Sequence, residues 1–100
     1  MAHIDPVVAS PDNYRVLLET DAYRMLEMRV PAGTSDNEHS HPSEAVYFIS
    51  GGKARVHLGE GETMDVEFPD GGVMDHGEWT HRVENIGDTE IVAIVFELKG

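Results

Sequence analysis

Residues 55–68 read RVHLGEGETMDVEF, and the alternation in this stretch indicates the fold. Apolar side chains occupy every second position on both sides of the turn at residues 59–61, and charged or polar side chains lie between them. Successive side chains of a β-strand point to opposite faces, so this pattern places one set in a core and the other in water. Two short strands joined by a glycine-containing turn are therefore predicted here.

Similar short segments recur along the chain. Residues 26–30 and 46–49 are rich in apolar and aromatic side chains, and glycine-containing turn signals separate such segments. No window has the sustained apolar spacing of a long helix. Several strands at this spacing predict an all-β sandwich or small barrel. The last segment, 91–96, is apolar on both faces, so we predict a strand that is covered on both sides, with a second subunit as one candidate cover.

The length of 100 residues allows one domain. The first dozen residues, which include Pro6 and Pro11, are predicted to form an N-terminal arm (1–12), and residues 13–100 the barrel domain. An apolar last strand, an arm and a limited core together favour a homodimer, because pairing two sheets across a two-fold axis would extend the core.

The charge balance excludes several classes of partner. Nineteen acidic residues against seven basic ones give a net charge of −12, which argues against binding to nucleic acid or to an anionic membrane surface. Cysteine is absent, so disulfides and thiolate chemistry are excluded. The N-terminus lacks the basic and apolar regions of a signal peptide, and no apolar run approaches the roughly 20 residues that span a bilayer. A cytoplasmic location is expected.

Three of the six histidines form a pattern that suits a metal ion. His39 and His41 are two residues apart, so on an extended segment both imidazoles point to the same face. His81 shares strand parity with Trp79 and Val83, so it is expected to point inward. Three neutral imidazoles can bind Fe, Mn, Ni, Cu or Zn and leave positions open for a substrate. The alternative is a polar barrel lining that binds no metal.

Two motifs add a family resemblance to this pattern. The first consists of Gly33, five residues, HSHP at 39–42 and a strand that ends near Gly51, and the second is HGEWTHRVEN at 76–85. In these motifs the sequence resembles the cupin family of small double-stranded β-helix (jelly-roll) proteins. The resemblance implies a single-domain cupin barrel whose metal ligands are His39, His41 and His81. Among cupins, the chain resembles the short stand-alone members associated with beta-alanine degradation.

The sequence departs from the family pattern where a glutamate ligand is usual. If Gly52 opens the next strand, that position is Ala45, and if Gly51 opens it, the position is Glu44. The first register keeps the usual loop length after His41 and is preferred. It leaves three histidines without a carboxylate and points Glu44 outward, because a slip of one residue reverses the facing of a side chain.

The sequence does not decide the functional roles of several residues around the histidines. His76 is a candidate fourth ligand or proton shuttle, although a turn position favours exposure. Glu78 is a candidate hydrogen-bond partner for a ligand imidazole. Arg82 is expected to point away from the barrel interior. Aromatic side chains flank the site and either line a pocket or fill the core: Tyr47, Phe48 and Trp79. His57 is expected to be solvated, and His3 belongs to the arm.

These observations lead to two functional hypotheses. The first is a mononuclear three-histidine metalloenzyme acting on a small carbonyl- or carboxylate-bearing metabolite, with dioxygenase-like or isomerase-like chemistry. The second is a non-catalytic module that binds a small molecule or a metal ion. No general base or nucleophile stands out in the sequence, so no catalytic residue is assigned.

Overall fold

The computed structural model describes residues 3–99 and is built almost entirely from β-strands. One short helix precedes nine strands: α1 (Pro6–Ala9), β1 (Tyr14–Glu19), β2 (Tyr23–Val30), β3 (His39–His41), β4 (Glu44–Ser50), β5 (Gly52–His57), β6 (Thr63–Phe68), β7 (Val73–His76), β8 (Trp79–Asn85) and β9 (Ile91–Leu98).

The strands form two antiparallel sheets. One sheet has the order β1-β2-β9-β4-β7, and the other has the order β3-β8-β5-β6. Their inner faces enclose one core, to which both sheets contribute buried side chains: Tyr14, Leu26, Met28, Val30, Val46, Phe48, Ala54, Val83, Ile91, Ala93 and Val95. The all-β prediction is confirmed, and the two sheets have the architecture of a single jelly-roll barrel.

The alternating stretch at 55–68 lies in the paired strands β5 and β6. Val56 pairs with Met64 across the two strands, and the intervening turn holds three successive residues at positive φ, 59–61. Glycine at both ends of this turn adopts such angles without a steric cost. Val56 is buried, whereas Met64 remains exposed because β6 is the edge strand of its sheet.

Strand β9 lies in the centre of the larger sheet, between β2 and β4. Ile91, Ala93 and Val95 point into the core and are almost fully buried. On the other face Phe96 is half-buried, and its ring stacks on Tyr23 with the centroids 4.9 Å apart. The chain itself thus covers part of both faces of this strand, and the homodimer stays a prediction.

The segment before β1 packs against the barrel. Asp5 accepts a hydrogen bond from the Val7 N–H at the start of α1, and Pro6 and Ser10 are buried. The division into an arm over 1–12 and a barrel over 13–100 stays a prediction, and residues 1, 2 and 100 lie outside the described residues. Within residues 3–99, no helix is long and apolar enough to cross a bilayer.

Candidate metal centre

Strands β3 and β8 bring the three predicted histidines together. His39 lies directly opposite His81 in the strand register, and His41 shares the face of His39. One ligand atom from each of the three residues lies within 4.8 Å of the others. All three side chains are buried, with 0% of His39, 1% of His41 and 5% of His81 exposed. The grouping that the sequence predicts is therefore present, inside the barrel.

The imidazole of His39 is held by its own loop and by β1. Its Nδ1–H donates to the Asn37 carbonyl oxygen at 2.6 Å, which leaves Nε2 unprotonated. That Nε2 lies 3.1 Å from the Tyr14 hydroxyl oxygen, and the hydroxyl donates to Asp36 Oδ2 at 3.1 Å. Burial, followed by the charge of His41, lowers the pKa of His39 to about 4. The ring is thus neutral at physiological pH, as a metal ligand must be.

A carboxylate orients His41. The Nδ1–H of His41 donates to Glu97 Oε2 at 2.6 Å, so Nε2 is the nitrogen left for a ligand. A carboxylate on the far nitrogen is the usual partner of a metal-binding histidine, because it fixes the tautomer and raises the basicity of the other nitrogen.

His81 has neither ring nitrogen hydrogen-bonded to any group within residues 3–99, although both are buried. Burial, with the neighbouring histidines, lowers the pKa of His81 to about 2. An unsatisfied buried polar group costs about 1–3 kcal/mol, so each such group calls for an explanation, of which a bound ion is one. A metal ion bound to one of these nitrogens would remove part of that cost. The donor set therefore fits a metal ion.

The structure corrects the predicted register after His41. Glu44 is 6% exposed and shares the inward face of β4 with Val46, whereas Ala45 is exposed. The prediction that Ala45 occupies the glutamate position, with Glu44 pointing outward, is wrong. Glu44 lines the same cavity as His41, and its Oε2 accepts a hydrogen bond from the Trp79 indole at 2.5 Å.

The physical reason for this correction lies at both ends of β4. Only two residues, 42–43, separate β3 from β4, so the loop is one residue shorter than the preferred register requires. At the other end, a Cβ on Gly51 would lie 1.8 Å from the Phe68 carbonyl oxygen. Only glycine allows this close approach, but β5 begins at Gly52, as the preferred register assumes. The pairing of β4 with β9 shifts by one residue between Phe48 and Ser50, so counting back from Gly52 reaches Ala45 instead of the inward-facing Glu44.

Two of the three histidines, His41 and His81, line a small apolar cavity of about 40 Å³. It is lined by both sheets: Tyr14, Met28, His41, Glu44, Val46, Phe48, Val56, Phe68, Met74, Trp79, His81, Val83 and Val95. Of the three aromatic side chains that the sequence places near the site, Phe48 and Trp79 line the cavity. Tyr47 does not, because it lies on the outward face of β4 and is 49% exposed.

The remaining polar candidates lie outside the histidine group. His76 is exposed and stacks on Trp79, with the ring centroids 3.6 Å apart. Glu78 is also exposed. Arg82 donates to the Ser35 hydroxyl, away from the cavity, as predicted. His57 is only part-buried and contacts Glu84 at 3.0 Å on the barrel surface.

Sequence reasoning missed three buried polar residues around the site: Tyr14, Asp36 and Glu97. Asp36 accepts hydrogen bonds from the Val83 N–H and the Tyr14 hydroxyl, yet burial still raises its pKa to about 6. A signal for Glu97 was present, because it lies two residues beyond Val95 on the inward face of an otherwise apolar strand.

The fold and the buried histidine group together define a cupin. The chain belongs to the cupin domain family, whose model matches residues 26–97. Among proteins of curated function, none matches the sequence significantly.

The fold also matches several solved structures. A cupin domain from Bordetella pertussis Tohama I has a TM-score of 0.79 and 22% identity, with 100% of this chain and 99% of that chain covered. A protein with a double-stranded β-helix domain from Klebsiella pneumoniae has a TM-score of 0.69 and 22% identity, with coverage of 91% and 76%. A deletion mutant of oxalate decarboxylase from Bacillus subtilis has a TM-score of 0.59 and 29% identity, with coverage of 77% and 22%.

Proposed function

We propose that this cupin binds a divalent transition metal through His39, His41 and His81. The observation that carries the proposal is that three buried imidazoles meet within 4.8 Å, one of them with no hydrogen bond on either ring nitrogen among residues 3–99. Glu44 lines the same cavity and supplies a nearby carboxylate. Imidazole nitrogen suits Fe, Mn, Ni, Cu and Zn alike, so the ligand type does not select among them.

The proposed activity is that of a metalloenzyme acting on a small carbonyl- or carboxylate-bearing metabolite, with dioxygenase-like or isomerase-like chemistry. A bound metal would act there as a Lewis acid and as a template for a chelating substrate. The apolar cavity walls lower the local dielectric constant and so strengthen electrostatic interactions at the site. The name of the Bacillus subtilis relative, an oxalate decarboxylase, and the resemblance to short cupins associated with beta-alanine degradation both favour a small carboxylate.

The second candidate is a non-catalytic binding module. The observation that favours it is the size of the cavity, about 40 Å³, together with histidines that are at most 5% exposed. Such a site can hold a metal ion and one or two waters without admitting a metabolite.

A spectroscopic titration separates the two candidates. We expect Co²⁺ to bind stoichiometrically and to give a visible absorption spectrum that pyruvate or acetylacetone, as a keto acid and a β-dicarbonyl, then perturbs. A Co²⁺ spectrum that neither probe alters would contradict the enzyme proposal and support the binding module. A protein that binds none of the ions Co²⁺, Fe²⁺, Zn²⁺, Ni²⁺ and Mn²⁺ would contradict both candidate functions as metal sites.

A further inference from the structure

We propose that Glu97 is a positioning residue of the metal centre, which fixes the ring of His41, and that Arg24 and Asp5 hold Glu97 in place. This inference rests on the proposed function, because it requires His41 to be a metal ligand. It extends the site from strands β3 and β8 to the centre of the opposite sheet and to the N-terminal segment.

The contact between Glu97 and His41 has the geometry of a strong, directed hydrogen bond. The Nδ1–H of His41 donates to Glu97 Oε2 at 2.6 Å, and both side chains are at most 3% exposed. Charge-assisted hydrogen bonds of this length are about twice as strong as neutral ones. Because Nδ1 carries the proton, the lone pair on Nε2 of His41 is available for a metal ion.

Arg24 binds the other oxygen of Glu97. Its Nη2 and Nε donate to Glu97 Oε1 at 2.9 and 3.1 Å, and the two residues are direct cross-strand partners on β2 and β9. The same guanidinium donates through Nη1 and Nη2 to both carboxylate oxygens of Asp5, at 3.1 and 3.2 Å. Both oxygens of Glu97 are thus occupied, which leaves its carboxylate one orientation.

Stability alone does not account for this arrangement. Replacing a buried ion pair by packed apolar residues is often neutral or stabilising, so a core needs no carboxylate at this position. Glu44 is the cross-strand partner of Glu97 on its other side and brings a second buried carboxyl group. This neighbour increases the free-energy cost of burying the Glu97 carboxylate. What a carboxylate supplies, and an apolar residue does not, is control of the His41 tautomer and basicity.

The test is the Co²⁺ affinity of Glu97→Gln, measured by competition with a chelator. The amide of glutamine accepts the hydrogen bond from His41 Nδ1–H more weakly than a carboxylate does. It also has only one oxygen, so it cannot accept hydrogen bonds from both His41 and Arg24 as the two carboxylate oxygens do. We expect an affinity about 10–100-fold weaker than that of the wild type. The matched control is Glu84→Gln, which alters a carboxylate–histidine pair on the barrel surface, with His57, and should leave Co²⁺ affinity unchanged.

Two further measurements separate positioning from folding. Far-UV circular dichroism and the urea midpoint of the metal-free protein report whether Glu97→Gln is folded. The variant Arg24→Gln removes the guanidinium that holds Glu97 but keeps both Glu97 and His41. We expect it to weaken Co²⁺ binding by less than Glu97→Gln does. If Glu97→Gln does not fold, the Co²⁺ affinity of Arg24→Gln tests the positioning role instead.

The possible failures have different meanings. Wild-type affinity in folded Glu97→Gln would overturn the positioning role while leaving the metal site intact. If Glu97→Gln is unfolded, wild-type affinity in Arg24→Gln would overturn it in the same way. Absence of Co²⁺ binding by the wild-type protein would instead overturn the proposed function, and this inference with it.

Discussion

The three histidines differ in what orients them. A backbone carbonyl fixes His39, a carboxylate fixes His41, and neither ring nitrogen of His81 is hydrogen-bonded among the described residues. Two of the imidazoles are thus pre-oriented, whereas His81 is aligned by packing, including its contact with Trp79 at a centroid distance of 4.0 Å. Pre-orientation lowers the cost of assembling the site. If the proposed metal site is correct, His81 is therefore the side chain whose ordering a metal ion would change most.

Glu44 is the residue whose role the structure revises most, and its substitution tests that revision. Glu44→Gln keeps the hydrogen bond from Trp79 but replaces the buried carboxyl group that lines the cavity with His41 by an amide. We expect Co²⁺ affinity to fall by about tenfold or more, a loss comparable to that seen when ligand partners are altered. Chelator competition measures it, with Glu67→Gln on the exposed edge strand as the control. Equal affinities for Glu44→Gln and wild type would leave Glu44 as a structural partner of Trp79 alone.

At the scale of elements, the alternating pattern predicted strands better than it predicted their registers. The stretch at 55–68 identified β5 and β6 because a period of two is visible within a single segment. The start of β4 was misplaced because a single residue of loop length decides which side chain points inward. Glu97 was missed because an acidic residue at the end of an apolar strand resembles a solvated terminus. Its contact with His41 joins positions 56 residues apart, which local patterns do not reveal.

The close approach of Gly51 to Phe68, at the junction of β4 and β5, can be tested by substitution. Gly51→Ala would place a Cβ 1.8 Å from the Phe68 carbonyl oxygen, so the backbone must move. We expect a loss of about 3 kcal/mol or more in the free energy of unfolding, at the upper end of overpacking costs. Urea denaturation measures it, with Gly77→Ala as the control because a Cβ there meets nothing within 4 Å. A loss for Gly51→Ala no larger than the control would contradict the close approach of Gly51 to the Phe68 carbonyl group.

For the whole molecule, the homodimer prediction can be placed on a specific surface. Tyr47 and Val73 are cross-strand partners on the outer face of the larger sheet, and together with Ile49 they form an apolar patch. Their exposed fractions are 49%, 77% and 52%. Contiguous exposed apolar surface of this kind marks interaction sites, and a two-fold axis would pair the patch with itself.

The oligomeric state tests this placement directly. At physiological salt, which screens the repulsion expected from a net charge of −12, we expect light scattering to give about twice the chain mass of 11.1 kDa. Ile49→Lys should yield the monomer, whereas Val8→Lys, an exposed site in the N-terminal helix, should not. A wild-type monomer at micromolar concentration would contradict the dimer, and a dimeric Ile49→Lys variant would contradict its location.

The measurement that tests the central claim most directly is the metal content of the untagged protein, purified without chelator and analysed by mass spectrometry. We expect near-stoichiometric divalent transition metal in the wild type and in His57→Ala, whose histidine lies on the barrel surface. The His81→Ala variant should lose the metal while keeping its fold. A wild type that holds no metal even after reconstitution, or a His81→Ala variant that holds as much as the wild type, would contradict a metal centre at these three histidines.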